Sequence, residues 1–256
     1  MDSEKKETIT DRQARIVEIV SQQGFATIEN LARDFGVSSQ SVRRDIIRLD
    51  ADGLLRRFHG GVGVREPAGR MAYAEKRTMA TDAKRRIAEK AASLIADGSV
   101  VFLDVGTTVE AVTHALREKR QLRVFTTSLA AAGILAGRPD IDLFVLGGFV
   151  RGVDGSVAGE TTLSMLARFR FDHAVIGFSG IDRDGTLMDY DLEKVAVKQA
   201  AIDRSQSTLV VGDSSKFRKS AIVRFGGDAD SLTLVTEAPP PAHVAELLAA
   251  RVVVAE

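Results

Sequence analysis

Between Ser38 and Arg48, seven side chains are uncharged polar or cationic: Ser38, Ser39, Gln40, Ser41, Arg43, Arg44 and Arg48. Hydroxyl, amide and guanidinium groups of this kind donate to phosphate oxygens and read base edges in the major groove of duplex DNA. Arg56, Arg57 and His59 follow, and from residue 38 to residue 65 six arginines stand against three acids, Asp45, Asp50 and Asp52. This local excess of positive charge sits in a chain whose formal net charge is zero. For nucleic-acid binding the local field counts, not the sum. Asp45 would repel a phosphate, so it is expected to hold a neighbouring arginine. His59 is grouped with the DNA contacts, although packing is its stronger expected role.

A second set of polar groups follows apolar strands. Asp104-Val105-Gly106-Thr107-Thr108 comes after one, Thr126-Thr127-Ser128 after the next, and Gly147-Gly148 and Gly177-Phe178-Ser179-Gly180 after two more. Glycine lets a backbone approach an anion, hydroxyls donate to it, and a helix N-terminus adds free N–H groups and a favourable dipole. Any one of these turns could be an ordinary helix cap. Their recurrence at equivalent strand ends points to a bound phosphate. Lys216, in Asp213-Ser214-Ser215-Lys216-Phe217, is either the matching cation or a surface lysine in a loop. Carboxylates accept hydrogen bonds and repel phosphate, so Asp104, Asp182 and Glu193 are assigned to hydroxyls at the ligand's other end. The ligand is then a small polyol or sugar phosphate.

Other classes are set aside on composition. The chain has 256 residues, is 45% hydrophobic and 27% charged, and so reads as soluble and globular. It has no cysteine, which removes disulfides and thiolate metal sites and suits a cytoplasmic protein. Its four histidines, His59, His114, His173 and His243, have no ligand spacing, so no metal is expected. No apolar window suggests a signal peptide or a membrane span. There is neither a Gly-x4-Gly-Lys-Ser/Thr loop nor a Gly-x-Gly-x2-Gly opening a helix, so no nucleotide cofactor is expected.

The elements that must position these groups fall into two parts. Residues 1–61 predict three helices and a small β-wing. Thr10 or Asp11 caps the first helix, Thr27 the second and Ser38 or Ser39 the third. Ala32, Gly36 and Val42, at offsets of four and six, supply the small contact, the turn and the anchor of a helix-turn-helix. Leu54 to Gly61 forms the wing. Residues 62–79, with Pro67 and Gly69 and no apolar period, read as a linker. From residue 80 to 256 helices alternate with apolar strands such as Val100–Leu103, the pattern of a doubly wound parallel sheet. The fold class is therefore α/β, a winged helix-turn-helix followed by a Rossmann-type domain.

Val37-Ser38-Ser39-Gln40-Ser41-Val42-Arg43-Arg44-Asp45-Ile46, followed by Arg57-Phe58-His59-Gly60-Gly61, resembles the signature of the DeoR family of repressors. The resemblance covers essentially the whole chain. It implies a winged helix-turn-helix and an effector domain similar in fold to ribose-5-phosphate isomerase. The stretches Phe102–Val112, Arg168–Asp172, Ser179–Asp182 and Ala238–Pro241 resemble the members that sense a three-carbon ligand, which implies glycerol 3-phosphate. The isomerases carry Asp-Gly-Ala-Asp-Glu after a strand. Here Gly177-Phe178-Ser179-Gly180-Ile181-Asp182 lacks or displaces the leading carboxylates, and Glu193 alone falls near the position of the base. No catalytic residue is expected.

The expected protein is thus a homodimeric or homotetrameric repressor of double-stranded operator DNA, released by a small phosphorylated metabolite. Three alternatives stay open: an isomerase with an appended DNA-binding domain, a repressor answering another sugar phosphate, and an activator or RNA-binding regulator whose α/β domain only oligomerises.

Overall fold

The computed structural model describes residues 9–23, 25–58, 61–64, 70–248 and 250–256. The chain divides into two compact units, Met1–Glu66 (with Arg218–Ser220) and Pro67–Phe217 with Ala221–Glu256.

In the first unit, α1 (Asp11–Gln23) opens with a reciprocal cap. Thr10 Oγ1 accepts from the Gln13 backbone N–H at 3.3 Å, while Gln13 Oε1 accepts from the Thr10 N–H at 3.0 Å. Next come β1 (Phe25–Thr27), α2 (Ile28–Phe35) and α3 (Ser39–Ala51), then the wing strands β2 (Leu55–Phe58) and β3 (Gly61–Val64). Thr27 caps α2, and Gly36, with φ +62°, ends it in a left-handed conformation that costs a glycine little. Ile16, Leu31, Val42, Ile46, Leu49 and Val62 are fully buried between the helices and the sheet, which runs β1-β3-β2. Truncating a core residue such as Leu31 to alanine would cost about 2–5 kcal/mol.

The second unit begins with α4 (Arg70–Thr78) and α5 (Thr81–Ser93). The stretch expected to be a linker thus carries two elements, β3 and α4. Gly61 to Val64 pairs with both other wing strands, and Arg70–Thr78 is rich in helix formers, Ala, Met, Glu, Lys and Arg. The chain continues as β4 (Val100–Leu103), α6 (Thr107–Leu116), β5 (Leu122–Thr126), α7 (Leu129–Leu135) and β6 (Ile141–Val145). A hairpin, β7 (Phe149–Arg151) and β8 (Ser156–Ala158), precedes α8 (Glu160–Leu166) and β9 (Phe171–Gly177). Then come β10 (Gly180–Ile181), β11 (Leu187–Asp189), α9 (Leu192–Ile202), β12 (Ser205–Val211), β13 (Val223–Phe225), β14 (Leu232–Thr236), α10 (Ala242–Ala245) and β15 (Arg251–Val254).

Seven strands form one parallel sheet in the order β15-β14-β12-β9-β4-β5-β6. Along β4, Val101 and Leu103 join the core under α5, α6 and α7, while Phe102 joins the opposite core under α8 and α9. Both faces are covered, which is why the strand is a continuous apolar run. From β4 the chain winds outward to β5 and β6, and from β9 it winds the other way. The topological switch point lies between β4 and β9, where a ligand crevice opens in such sheets.

Candidate functional site

In the first unit, α3 presents the polar cluster. Ser38 is the N-cap of this helix: its Oγ accepts from the Ser41 N–H at 3.2 Å and lies 3.0 Å from Ser41 Oγ. Its hydroxyl therefore serves the helix, whereas Ser39, Gln40, Arg43 and Arg44 are exposed. Arg48 is half-buried and stands 3.8 Å from Asp52. On β2, Arg56 and Arg57 are exposed, with the Arg56 guanidinium 5.4 Å from the centre of the Phe58 ring. His59 lies outside the described residues. Asp45 is buried, accepting from Arg12 Nε at 2.6 Å and Gln13 Nε2 at 3.1 Å. The acid in the basic cluster is thus neutralised from α1, and α3 offers guanidinium, amide and hydroxyl groups to a groove.

At the switch point of the second unit, the key contact involves a residue that the sequence did not single out. Lys198 of α9 is 3% exposed, and its ammonium meets Asp104 Oδ2 at 2.7 Å, Asp189 Oδ2 at 2.9 Å and the Gly177 carbonyl at 2.6 Å. Three donors meet three acceptors. Burial alone would lower the Lys198 ammonium, but Asp104 and Asp189 outweigh it and hold the proton on. Asp104 also accepts from the Gly177 N–H at 3.1 Å, which ties the end of β4 to the end of β9. Asp104 was expected to face a ligand hydroxyl, but it is 2% exposed and committed to this tie. Burial pushes the Asp189 carboxyl up, while Lys198 and bonds from Tyr190 N–H and Ser179 Oγ outweigh it and leave it below the usual range.

The expected phosphate loop stands open. Gly106, at φ +144°, is the N-cap of α6 and has no side chain to cap it, with Thr107 half-exposed beside it and Thr108 mostly buried. A groove of about 760 Å³ adjoins it, lined by Thr107, Glu110 and Ala111 of α6, Lys84 and Ala88 of α5, and Arg77 of α4. Burial lowers the Lys84 ammonium, with Asp213 partly opposing this. Burial raises the Asp213 carboxyl, but Ser215, Lys216 and Lys84 overcome it and lower it. The Lys216 backbone N–H donates to the Asp213 carbonyl at 3.0 Å in the turn Ser214–Arg218, where the Lys216 side chain is half-buried.

The other expected ligand residues have other roles. Thr126 Oγ1 donates to the Leu103 carbonyl at 2.8 Å, Thr127 is buried, and Ser128 caps α7. Gly147 accepts from Thr162 Oγ1 at 2.9 Å, and a Cβ on Gly148 would lie 2.1 Å from that hydroxyl. Close packing therefore accounts for Gly148, whereas a Cβ on Gly147 would meet only Met165 Sδ at 3.5 Å, an ordinary contact. Gly180 is buried in β10, and Asp182 stands 3.7 Å from Arg224 of β13. Glu193 is exposed in the first turn of α9, where Asp191 is the cap. Lys194 and Asp154, which pair across the mouth between α9 and the β7–β8 turn, were also missed. For Lys84 and Lys198 the signal was a lysine on an apolar helix stripe: Lys84 precedes Ile87, Ala88 and Ala91, and Lys198 lies between Val195 and Ile202.

Comparison with known proteins matches both units. A DeoR-like helix-turn-helix domain fits residues 12–68, and a DeoR C-terminal sensor domain fits residues 79–238. The chain is 38% identical to the glycerol-3-phosphate regulon repressor of Escherichia coli over 93% of its own length and 95% of that protein's. It is 40% identical to the glycerol-3-phosphate regulon repressor of Haemophilus influenzae over 88% of each. Among solved structures, ribose 5-phosphate isomerase A of Methanocaldococcus jannaschii covers 54% of each chain at 19% identity and a TM-score of 0.40. Among the described residues no helix is long and apolar enough to cross a membrane.

Proposed function

The chain belongs to the DeoR family of transcriptional repressors, and from that membership we propose that it silences its operator until glycerol 3-phosphate binds the sensor unit. The observation that carries this reading is the match, through both units, to two repressors of the glycerol-3-phosphate regulon. Two copies place two recognition helices on operator half-sites. Ser39, Gln40, Ser41, Arg43 and Arg44 read the groove, with Arg48, Arg56 and Arg57 on the backbone.

The phosphate sits at the uncapped N-terminus of α6, against Gly106, Thr107 and Thr108, with Lys84 and Lys216 as cations. The ligand's hydroxyls face Ser179 and Asp189 across the crevice. Ligand binding favours the arrangement with lower operator affinity, and by linkage the operator disfavours the ligand equally. The protein is a cytoplasmic sensor and carries out no turnover. An isomerase needs a carboxylate base at the substrate. Asp104 and Asp189 are both bonded to Lys198, and Glu193 is exposed. Operator release in an anisotropy titration tests the sensor, and incubation with pentose and triose phosphates tests for turnover. Release without turnover is expected, and turnover without release would favour the isomerase.

A further inference from the structure

Two groups on the wall of the groove beside α6 hold α4 against α5 and α6. The Tyr73 hydroxyl donates to Oε1 of Glu110, and Arg77 Nε lies 3.4 Å from Oε2 of the same carboxylate. The Lys84 ammonium donates to the carbonyl of Lys76, also on α4. Glu110 and Lys84 line the groove together with Thr107. α4 is the first helix after the wing, so where it docks fixes where the chain enters the sensor unit.

We infer that Glu110 and Lys84 form a clasp on α4 that ligand phosphate opens, and that this opening carries the ligand signal toward the DNA-reading unit. The inference rests on the proposed phosphate site at α6. The Glu110 N–H donates to the Gly106 carbonyl at 2.8 Å, so the residue's backbone stands one helical turn, about 5.4 Å of rise, from the uncapped N-terminus. A phosphate there takes Lys84 from Lys76, repels the Glu110 carboxylate and attracts Arg77. Each effect loosens α4. Glu110 faces Tyr73 and Arg77 from α4 and feels Asp154 from the β7–β8 turn. Its side chain is 7% exposed, so it has little water to screen a new negative charge.

The test uses the full chain carrying Arg77→Gln or Glu110→Gln. Operator affinity is measured with and without glycerol 3-phosphate, and ligand affinity is measured on DNA-free protein by calorimetry. Both variants are expected to bind the operator roughly 5- to 100-fold more weakly than wild type without ligand, within the usual range of allosteric coupling. Added ligand should then change little, and ligand affinity should be equal or tighter, because the released state is already populated. A folding lesion would weaken both. Wild-type operator affinity and ligand response in Arg77→Gln would overturn the clasp alone, as would a joint loss of operator and ligand binding. A wild type released by no phosphorylated ligand would overturn the ligand reading, and the clasp with it.

Discussion

The ammonium of Lys198 stands 2.7 Å from Oδ2 of Asp104, across the switch point of the sheet, with both side chains 3% exposed. Neither residue is free for catalysis, and together they fix the spacing of the two loops that frame the crevice. Removing one partner of a buried pair leaves an uncompensated charge and costs about 3–5 kcal/mol. Lys198→Met is therefore expected to lower the melting temperature of the sensor unit by roughly 6–20 °C, at about 2–4 °C per kcal/mol. Adding Asp104→Asn should restore part of the loss in calorimetry. A double variant no better than Lys198→Met would contradict the pairing.

On α3, Arg43→Ala or Arg44→Ala should each abolish specific operator binding while leaving the melting temperature unchanged, since both side chains are exposed. A base-contacting arginine is worth about 1–3 kcal/mol of discrimination, and a phosphate contact mainly sets the salt slope. Competition against non-operator DNA at several salt concentrations separates the two. If both variants kept tight, specific binding, α3 would not be the recognition helix.

In the sensor unit, Thr107→Ala and Lys216→Ala should yield repressors that still bind the operator and no longer respond to ligand. Thr108→Ala should do the same more weakly, because Thr108 is mostly buried. The readout is the ligand concentration at half-release. Wild-type values in all three would place the phosphate elsewhere.

Burial, with Asp154 adding to it, pushes the Glu110 carboxyl up from 4.5 to about 7. The folded pKa lies above the unfolded one, so the folded state holds the proton more tightly between them. The contribution to stability is full below pH 4.5 and is lost as pH rises toward about 7. Glu110→Gln should flatten this part of the stability profile, measured by urea unfolding from pH 4.5 to 8. A profile unchanged by the substitution would mean that Glu110 titrates normally.

Much of this protein was legible in its sequence because local chemistry and fold agree. Thr27, Gly36 and Ser38 mark the helix boundaries of the helix-turn-helix, and the run Val100–Leu103 marks a strand buried on both faces. What was hidden depends on distant partners. β1 is three residues whose meaning comes from pairing with β3. β15 adds to the sheet edge through β14, and the β7–β8 hairpin docks through Val157 N–H on the Thr127 carbonyl at 2.7 Å. Asp104 stood at the right strand end, but nothing near it in sequence disclosed Lys198, ninety-four residues away. The Gly106–Thr108 turn was visible because its glycine and threonines are contiguous. Lys84 was not, because it comes from a different helix.

On the proposed function, a phosphorylated three-carbon polyol releases this protein from DNA. The most direct measurement is an anisotropy titration of the operator complex with glycerol 3-phosphate, beside glycerol, inorganic phosphate, fructose 1-phosphate and ribose 5-phosphate. Release is expected with glycerol 3-phosphate at concentrations where the other four leave the complex intact. Release by glycerol alone would contradict the phosphate site, and release by another sugar phosphate with none by glycerol 3-phosphate would contradict the ligand assignment.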